Sequence, residues 1–168
     1  TYTDDMGPFT FSDSNSLVKI MVLKTVVSVV ALKFEDSVNP AFFTIVEVAN
    51  SETNGDWEEL TFNFGTSIGN TYDRMVVIPD FIERSDDKTI FFDQISFNAN
   101  DTLEDYNLED IDFESTGFGA NWVWTTDNNF TDPVLEIVAN PNMGGANSSA
   151  SVTKFTSTTA GDPWALTY

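Results

Sequence analysis

Short runs of hydrophobic residues, many with polar residues between them, recur along most of the chain, and polar turn-forming clusters separate them. Phe9–Phe11, Leu17–Leu23, Val26–Phe34, Phe42–Ala49, Trp57–Phe64, Arg74–Pro79 and Ile90–Phe97 are rich in Val, Ile, Phe and Thr. Such side chains fit a pleated, half-buried surface. The breaks between them carry turn residues, as in Ser12-Asp13-Ser14-Asn15-Ser16, Asn39-Pro40, Asn54-Gly55-Asp56, Gly69-Asn70 and Ser85-Asp86-Asp87. Within Trp57–Phe64, the residues Trp57, Leu60, Phe62 and Phe64 largely follow a period of two, the signature of a strand with one apolar face. Further strands are expected at Trp122–Thr125, Val134–Val138, Val152–Thr156 and Trp164–Tyr168. No stretch has the period of an amphipathic helix. Many short strands at regular spacing predict an all-β fold, an antiparallel β-sandwich of jelly-roll type.

One segment breaks the pattern. Asn100 to Glu114 carries Asp101, Glu104, Asp105, Glu109, Asp110, Asp112 and Glu114 without a single Lys or Arg. Like charges at this density repel and stay solvated, so residues 100–111 read as an acidic linker that joins residues 1–99 to residues 112–168.

Composition narrows the chemistry. The chain has 168 residues, of which 41% are hydrophobic and 14% aromatic, enough for one domain with a true core. With 27 acidic and 7 basic residues the net charge is −20, which excludes nucleic acid as an expected partner and disfavours an anionic membrane surface. The longest apolar stretch, Thr25–Leu32, has strand length, so no membrane insertion is expected. His and Cys are absent. Ser-His-Asp and Cys-His catalysis, thiol redox chemistry and zinc or iron–sulfur sites go with them. An acidic chain rich in Thr, Asn and Ser suits a secreted or cell-surface protein in salt water.

Several stretches resemble a carbohydrate-binding-like β-sandwich module of secreted and surface proteins of marine Bacteroidetes. They are VANPNMGGANSSASVTKFTSTTAGDPW at 138–164, DWEELTFNF at Asp56–Phe64, YDRMVVIPDF at Tyr72–Phe81 and FFDQISF at Phe91–Phe97. The resemblance implies a galactose-binding or carbohydrate-binding-module-like sandwich. In such proteins the modules stand beside polysaccharide-degrading domains or recur in tandem. The segment order is permuted: by family order residues 112–168 form the N-terminal portion and residues 1–99 the C-terminal portion. Thr1-Tyr2 and Thr167-Tyr168 echo each other. The chain therefore reads as one period of a tandem array or as a circular permutant, one sandwich in total, which a neighbouring subunit could complete by strand exchange.

Three sets of residues are candidates for chemistry. Trp122 and Trp124 flank Val123, so both face one side of an expected strand. With Trp164 and Tyr168 they form the candidate glycan platform, since sugar rings stack on flat aromatic faces. The competing reading for Trp122 and Trp124 is core packing, and Trp57 is read as core outright. The resemblance implies a structural Ca²⁺ where the first and last strands meet, at a D-F-E start and an F-D-D-I end. Asp112-Phe113-Glu114 matches the first. Phe92-Asp93-Gln94-Ile95 matches the second, with Gln94 in place of the second acid. Asp93, Asp112 and Glu114 are thus the candidate metal ligands.

Modification sites complete the set. Asp101-Thr102-Leu103 and Asp36-Ser37-Val38 fit an acidic–hydroxyl–aliphatic O-glycosylation pattern, making Thr102 and Ser37 candidates. Asn100-Asp101-Thr102, Asn129-Phe130-Thr131 and Asn147-Ser148-Ser149 fit the N-glycosylation pattern. Gly144-Gly145 reads as a turn, because no P-loop or dinucleotide fingerprint surrounds it. No carboxylate pair sits in a recognisable glycosidase motif, so no enzymatic activity is expected. The chain is expected to be a structural subunit of an extracellular adhesin or filament, assembled from copies of itself. The alternative is a module binding a neutral, β-glucan-like polysaccharide.

Overall fold

The computed structural model describes residues 2–3, 6–83, 85–97, 111–116, 119–125 and 135–159. The expected strands at Phe9, Leu17, Phe42, Trp57, Arg74, Ile90, Val134 and Val152 form as β2 (Phe9–Thr10), β3 (Leu17–Leu23), β5 (Phe43–Ala49), β6 (Glu58–Asn63), β8 (Arg74–Ile78), β9 (Lys88–Ser96), β10 (Leu135–Ala139) and β11 (Ser151–Ser157). Two further strands of two residues, β1 (Tyr2–Thr3) and β7 (Thr71–Tyr72), are too short to leave a periodic signal. β4 runs Val29–Glu35, later than the apolar run from Val26 implies. The cause is Asn50: its side chain accepts from Ser28 N (2.9 Å) and donates to Val26 O (3.1 Å), so a side chain replaces the ladder there.

The strands form two large antiparallel sheets, β1-β8-β4-β5 and β10-β11-β9-β3-β6, with β2 and β7 paired separately. Strands from both sides of the acidic segment thus share one sheet. Among the described residues there is no α-helix.

Both sheets contribute to one core. Val30, Leu32, Phe34, Met75 and Val77 come from the four-stranded sheet. Val18, Ile20, Val22, Leu60, Phe62, Ile90, Phe92 and Phe155 come from the five-stranded one. Period-two alternation puts them on the same side of each strand. Phe34 is the hub: its ring packs edge-on against Phe11 at 5.0 Å and Phe64 at 5.1 Å, and Phe11 stacks on Phe64 at 4.9 Å. Ile111, at the end of the acidic run, belongs to this core and exchanges backbone hydrogen bonds with Ile95 at 3.0 Å.

Trp122–Thr125 is corrected: it forms no strand. Trp164–Tyr168 lies outside the described residues, as do Thr102 and residues 100–110.

Candidate functional site

The most unusual local structure gathers around Asp93. Ile90 and Phe92 face the core, so Asp93 falls on the outer face of the five-stranded sheet, opposite Met21. There the register of β9 against β3 slips: Met21 pairs with Asp93, but Lys19 pairs with Ser96. The extra residue makes a bulge, a device that re-aims side chains. Gln94 at its centre adopts φ 49°, and Phe113 adopts φ 54°; these are the only non-glycine residues with positive φ among those described. For a ring as large as Phe113 this conformation is uncommon and must be held by its surroundings.

Asp93 is fully buried under the 140–150 loop. Its Oδ2 accepts from Asn147 Nδ2 at 2.9 Å, while Oδ1 is buried with no hydrogen-bond partner. Burial is the main influence and pushes the carboxyl up to about 6. The nearby Ser149 hydroxyl, the Asn147 amide and the Gln94 backbone pull it part of the way back, and the Asp112 charge pushes it up again. Gln94 Nε2 donates to Asn147 Oδ1 (3.2 Å) and Ser149 Oγ (3.1 Å), tying the bulge to the same loop.

The three proposed metal ligands do not act as one set. Asp112 lies close enough to Asp93 to repel its charge, and its Oδ1 accepts from Glu114 N at 3.1 Å. Glu114 Oε1 instead accepts from the backbone of Ala150 and of Ser151, fastening the start of β11. Among the described residues no three acidic side chains converge on a point that could hold a metal. What remains for a hard cation is Asp93 with its unpartnered oxygen and the neighbouring Asp112.

This carboxyl makes stability depend on pH with a definite sign. Its value in the fold, about 6, lies above the ordinary 3.8. The folded state therefore holds a proton that the unfolded chain has released between those values. The stabilisation is complete below about pH 4, declines as pH rises, and is gone above about pH 6. The difference corresponds to about 3 kcal/mol at most. In urea titrations Asp93→Asn is expected to lack this decline, gaining about 2–3 kcal/mol on the parent between pH 4 and pH 7.5. A parallel pH profile for the two proteins would contradict the burial of a titrating Asp93.

A cleft of about 360 Å³ lies beside this loop, lined by Asp56, Trp57, Asn142, Met143, Gly144 and Gly145. Trp57 is buried, as expected, but in a satellite cluster with Met21, Leu23 and Val152 rather than in the main core. Its Nε1 donates to Asn140 Oδ1 (3.2 Å) and Asn142 O (3.1 Å), and Asn142 Nδ2 donates to Gly55 O (2.8 Å). The Gly144-Gly145 stretch is a turn closed by paired backbone bonds between Gly144 and Asn147. Gly145 at φ 58° has the left-handed conformation that such a turn needs. The Asn140–Asn142 clamp escaped the sequence reading because isolated asparagines beside Pro141 signal only a turn.

Trp122 and Trp124 do face one way, half-buried, with Val123 exposed on the other side. Both pack against the main core: Trp124 lies 5.5 Å from Phe113, and the two indoles are tilted 42° to each other. They form no flat platform. Trp164 and Tyr168, their expected companions, lie outside the described residues.

Of the modification candidates, Ser37 has its hydroxyl donated to Asp73 Oδ2 and its amide to Asp73 Oδ1, each at 2.7 Å. Burial is the largest single influence and raises the Asp73 carboxyl, but the Ser37 hydroxyl and amide, its own backbone amide and the Arg74 charge together outweigh it and hold the carboxyl below its ordinary value. Asn147 is corrected as an N-glycosylation site: it is fully buried and bonded to Asp93. Thr102, Asn100 and Asn129 lie outside the described residues.

Charge pairing limits what the surface can recognise. All six described basic residues are ion-paired: Lys19 with Glu59, Lys24 with Asp80, Lys33 and Arg74 with Glu35, Lys88 with Asp86, and Lys154 with Glu136. The described surface therefore offers no unpaired cation to an anionic ligand. No protein family, curated protein or solved structure matches the chain.

Proposed function

We propose that the chain is a non-catalytic jelly-roll β-sandwich subunit of an extracellular adhesin or filament, joined to copies of itself. The carrying observation is that Trp122 and Trp124, the residues best suited to stack on sugar, lean instead on Phe113 and the core. The two sheets facing one core support the sandwich. A hard cation such as Ca²⁺, held by Asp93 and Asp112, would remove the cost of a buried carboxylate at neutral pH.

A second reading has one observation in its favour. The Trp57 cleft is lined by Asn142, Asp56 and glycine backbone. Such a lining suits hydroxyl groups, and the pairing of every described cation points to a neutral saccharide. Sedimentation velocity over a concentration series, with calorimetric titration of a soluble β-glucan, separates the two. Self-association without glucan heat is the expected result. A monomer that binds glucan would replace the first reading with the second.

A further inference from the structure

The edge of β5 offers a backbone surface made for pairing. Asp36 N donates to Phe42 O at 3.0 Å and Asn50 N to Ser28 O at 3.3 Å, which fixes the phase of the β4–β5 ladder. In an antiparallel pair, residues that bond to the partner alternate with residues that bond away from it. Thr44, Val46 and Val48 therefore bond to β4. The N–H and C=O groups of Phe43, Ile45, Glu47 and Ala49 point outward, and among the described residues no strand pairs with β5 on that side.

This edge lacks the usual guards. Proteins protect edge strands with charge, proline, bulges or shortness. β5 has seven residues in unbroken register, β-branched or aromatic at most positions, with Glu47 its only charge. β6, one of the two edge strands of the other sheet, is guarded, and β10, its other edge, is shorter, with five residues. β6 carries Glu58 and Glu59, and the Glu58 carboxylate accepts from Ser51 and Glu52 of the preceding segment. Beside β5 the apolar surface continues: Val38 is 90% exposed, Phe42 41% and Phe43 50%.

We infer that β5 pairs antiparallel with β5 of a second copy, joining two four-stranded sheets into one. This rests on the assembly reading and names its contact. The local charge favours a copy over other partners. On the outer face of β4, β5 and β8, Lys33 and Arg74 both pair with Glu35, and with Glu47 these four side chains sum to zero, so β5 is less acidic than the rest of a chain that carries −20, although Asp36 and Asp73 stand at one end of it. Lys33 is further engaged over the Phe43 ring at 4.8 Å. Two copies can approach here with less repulsion than they meet elsewhere. A two-fold register using all four outward residues sets Glu47 against Ile45 of the second copy and Phe43 against its Ala49. No like charges then face each other.

The test is light-scattering mass across a concentration series for the parent, Ile45→Lys and Ile45→Pro, with thermal midpoints as the fold control. Proline at 45 removes an outward N–H and no bond to β4, so the edge is blocked while the ladder survives. The parent is expected to dimerise or assemble further, and both variants to weaken that association at least about tenfold with little change in midpoint. Where proline unfolds the chain, the lysine variant decides. Variants that associate like the parent would overturn β5 pairing and leave assembly through another surface standing. A parent that stays monomeric throughout would overturn both.

Discussion

Lys24→Met is expected to lower the unfolding free energy by about 3–5 kcal/mol, because it removes the buried cation that faces the Asp80 carboxylate. The side chains of Lys24 and Asp80 are 0% and 1% exposed and stand 3.6 Å apart. Lys24 Nζ donates to Pro79 O at 2.8 Å, Ser28 Oγ to Asp80 Oδ1, and Ser157 Oγ to Asp80 Oδ2 at 3.1 Å. These groups come from the ends of β3, β8 and β11 and the approach to β4, so the network fastens the two sheets at one end. Removing both charges together, in Lys24→Met/Asp80→Leu, is expected to recover much of the loss, since the penalty lies in breaking one half of a buried pair. Urea titrations of the single and double variants provide the check. A loss under about 1 kcal/mol in the single variant would contradict a buried, charged pair.

Phe34→Ala is expected to cost a similar amount, about 3–5 kcal/mol, for a different reason. The Phe34 ring has no exposed surface and touches Phe9, Phe11, Phe64 and Phe97 at centroid distances of 6.1, 5.0, 5.1 and 6.0 Å. Its partners come from β2, from the segment that follows it and from the residues just after β6 and β9, so no single element can close the cavity. Phe43→Ala, on the half-exposed edge, is the matched control and should cost well under about 1 kcal/mol in a dilute monomer. Equal losses in the two variants, read from urea midpoints, would mean that Phe34 is not the hub of the core.

The strands were legible because burial imposes a period of two, and β3, β5, β6 and β11 begin and end within about a residue or two of where their patterns do. The failures have physical causes. Trp122-Val123-Trp124 alternates as a strand does, but alternation records only which side is buried, and a segment can lean on a core without being a strand. The Val26 run looked continuous because a side chain from Asn50 does the ladder's work unseen. Charge carries no burial signal by itself. Lys24 and Asp80 look like any other surface pair in a chain of 27 acids, although the fold places them in the interior. The site around Asp93 was half visible. The motif drew attention to Asp93 and Asp112, but Glu114 is taken by the backbone of β11. The bulge at Gln94 and the buried Asn147 arise only from strands brought together by the fold.

Self-assembly is the proposed role of this acidic all-β chain. Electron microscopy of the purified chain, with and without a calcium chelator, tests it most directly. Regular multimers or fibres are expected, with chelation loosening them where the Asp93–Asp112 pair holds a cation. Monodisperse single particles in both conditions, at every concentration, would contradict it.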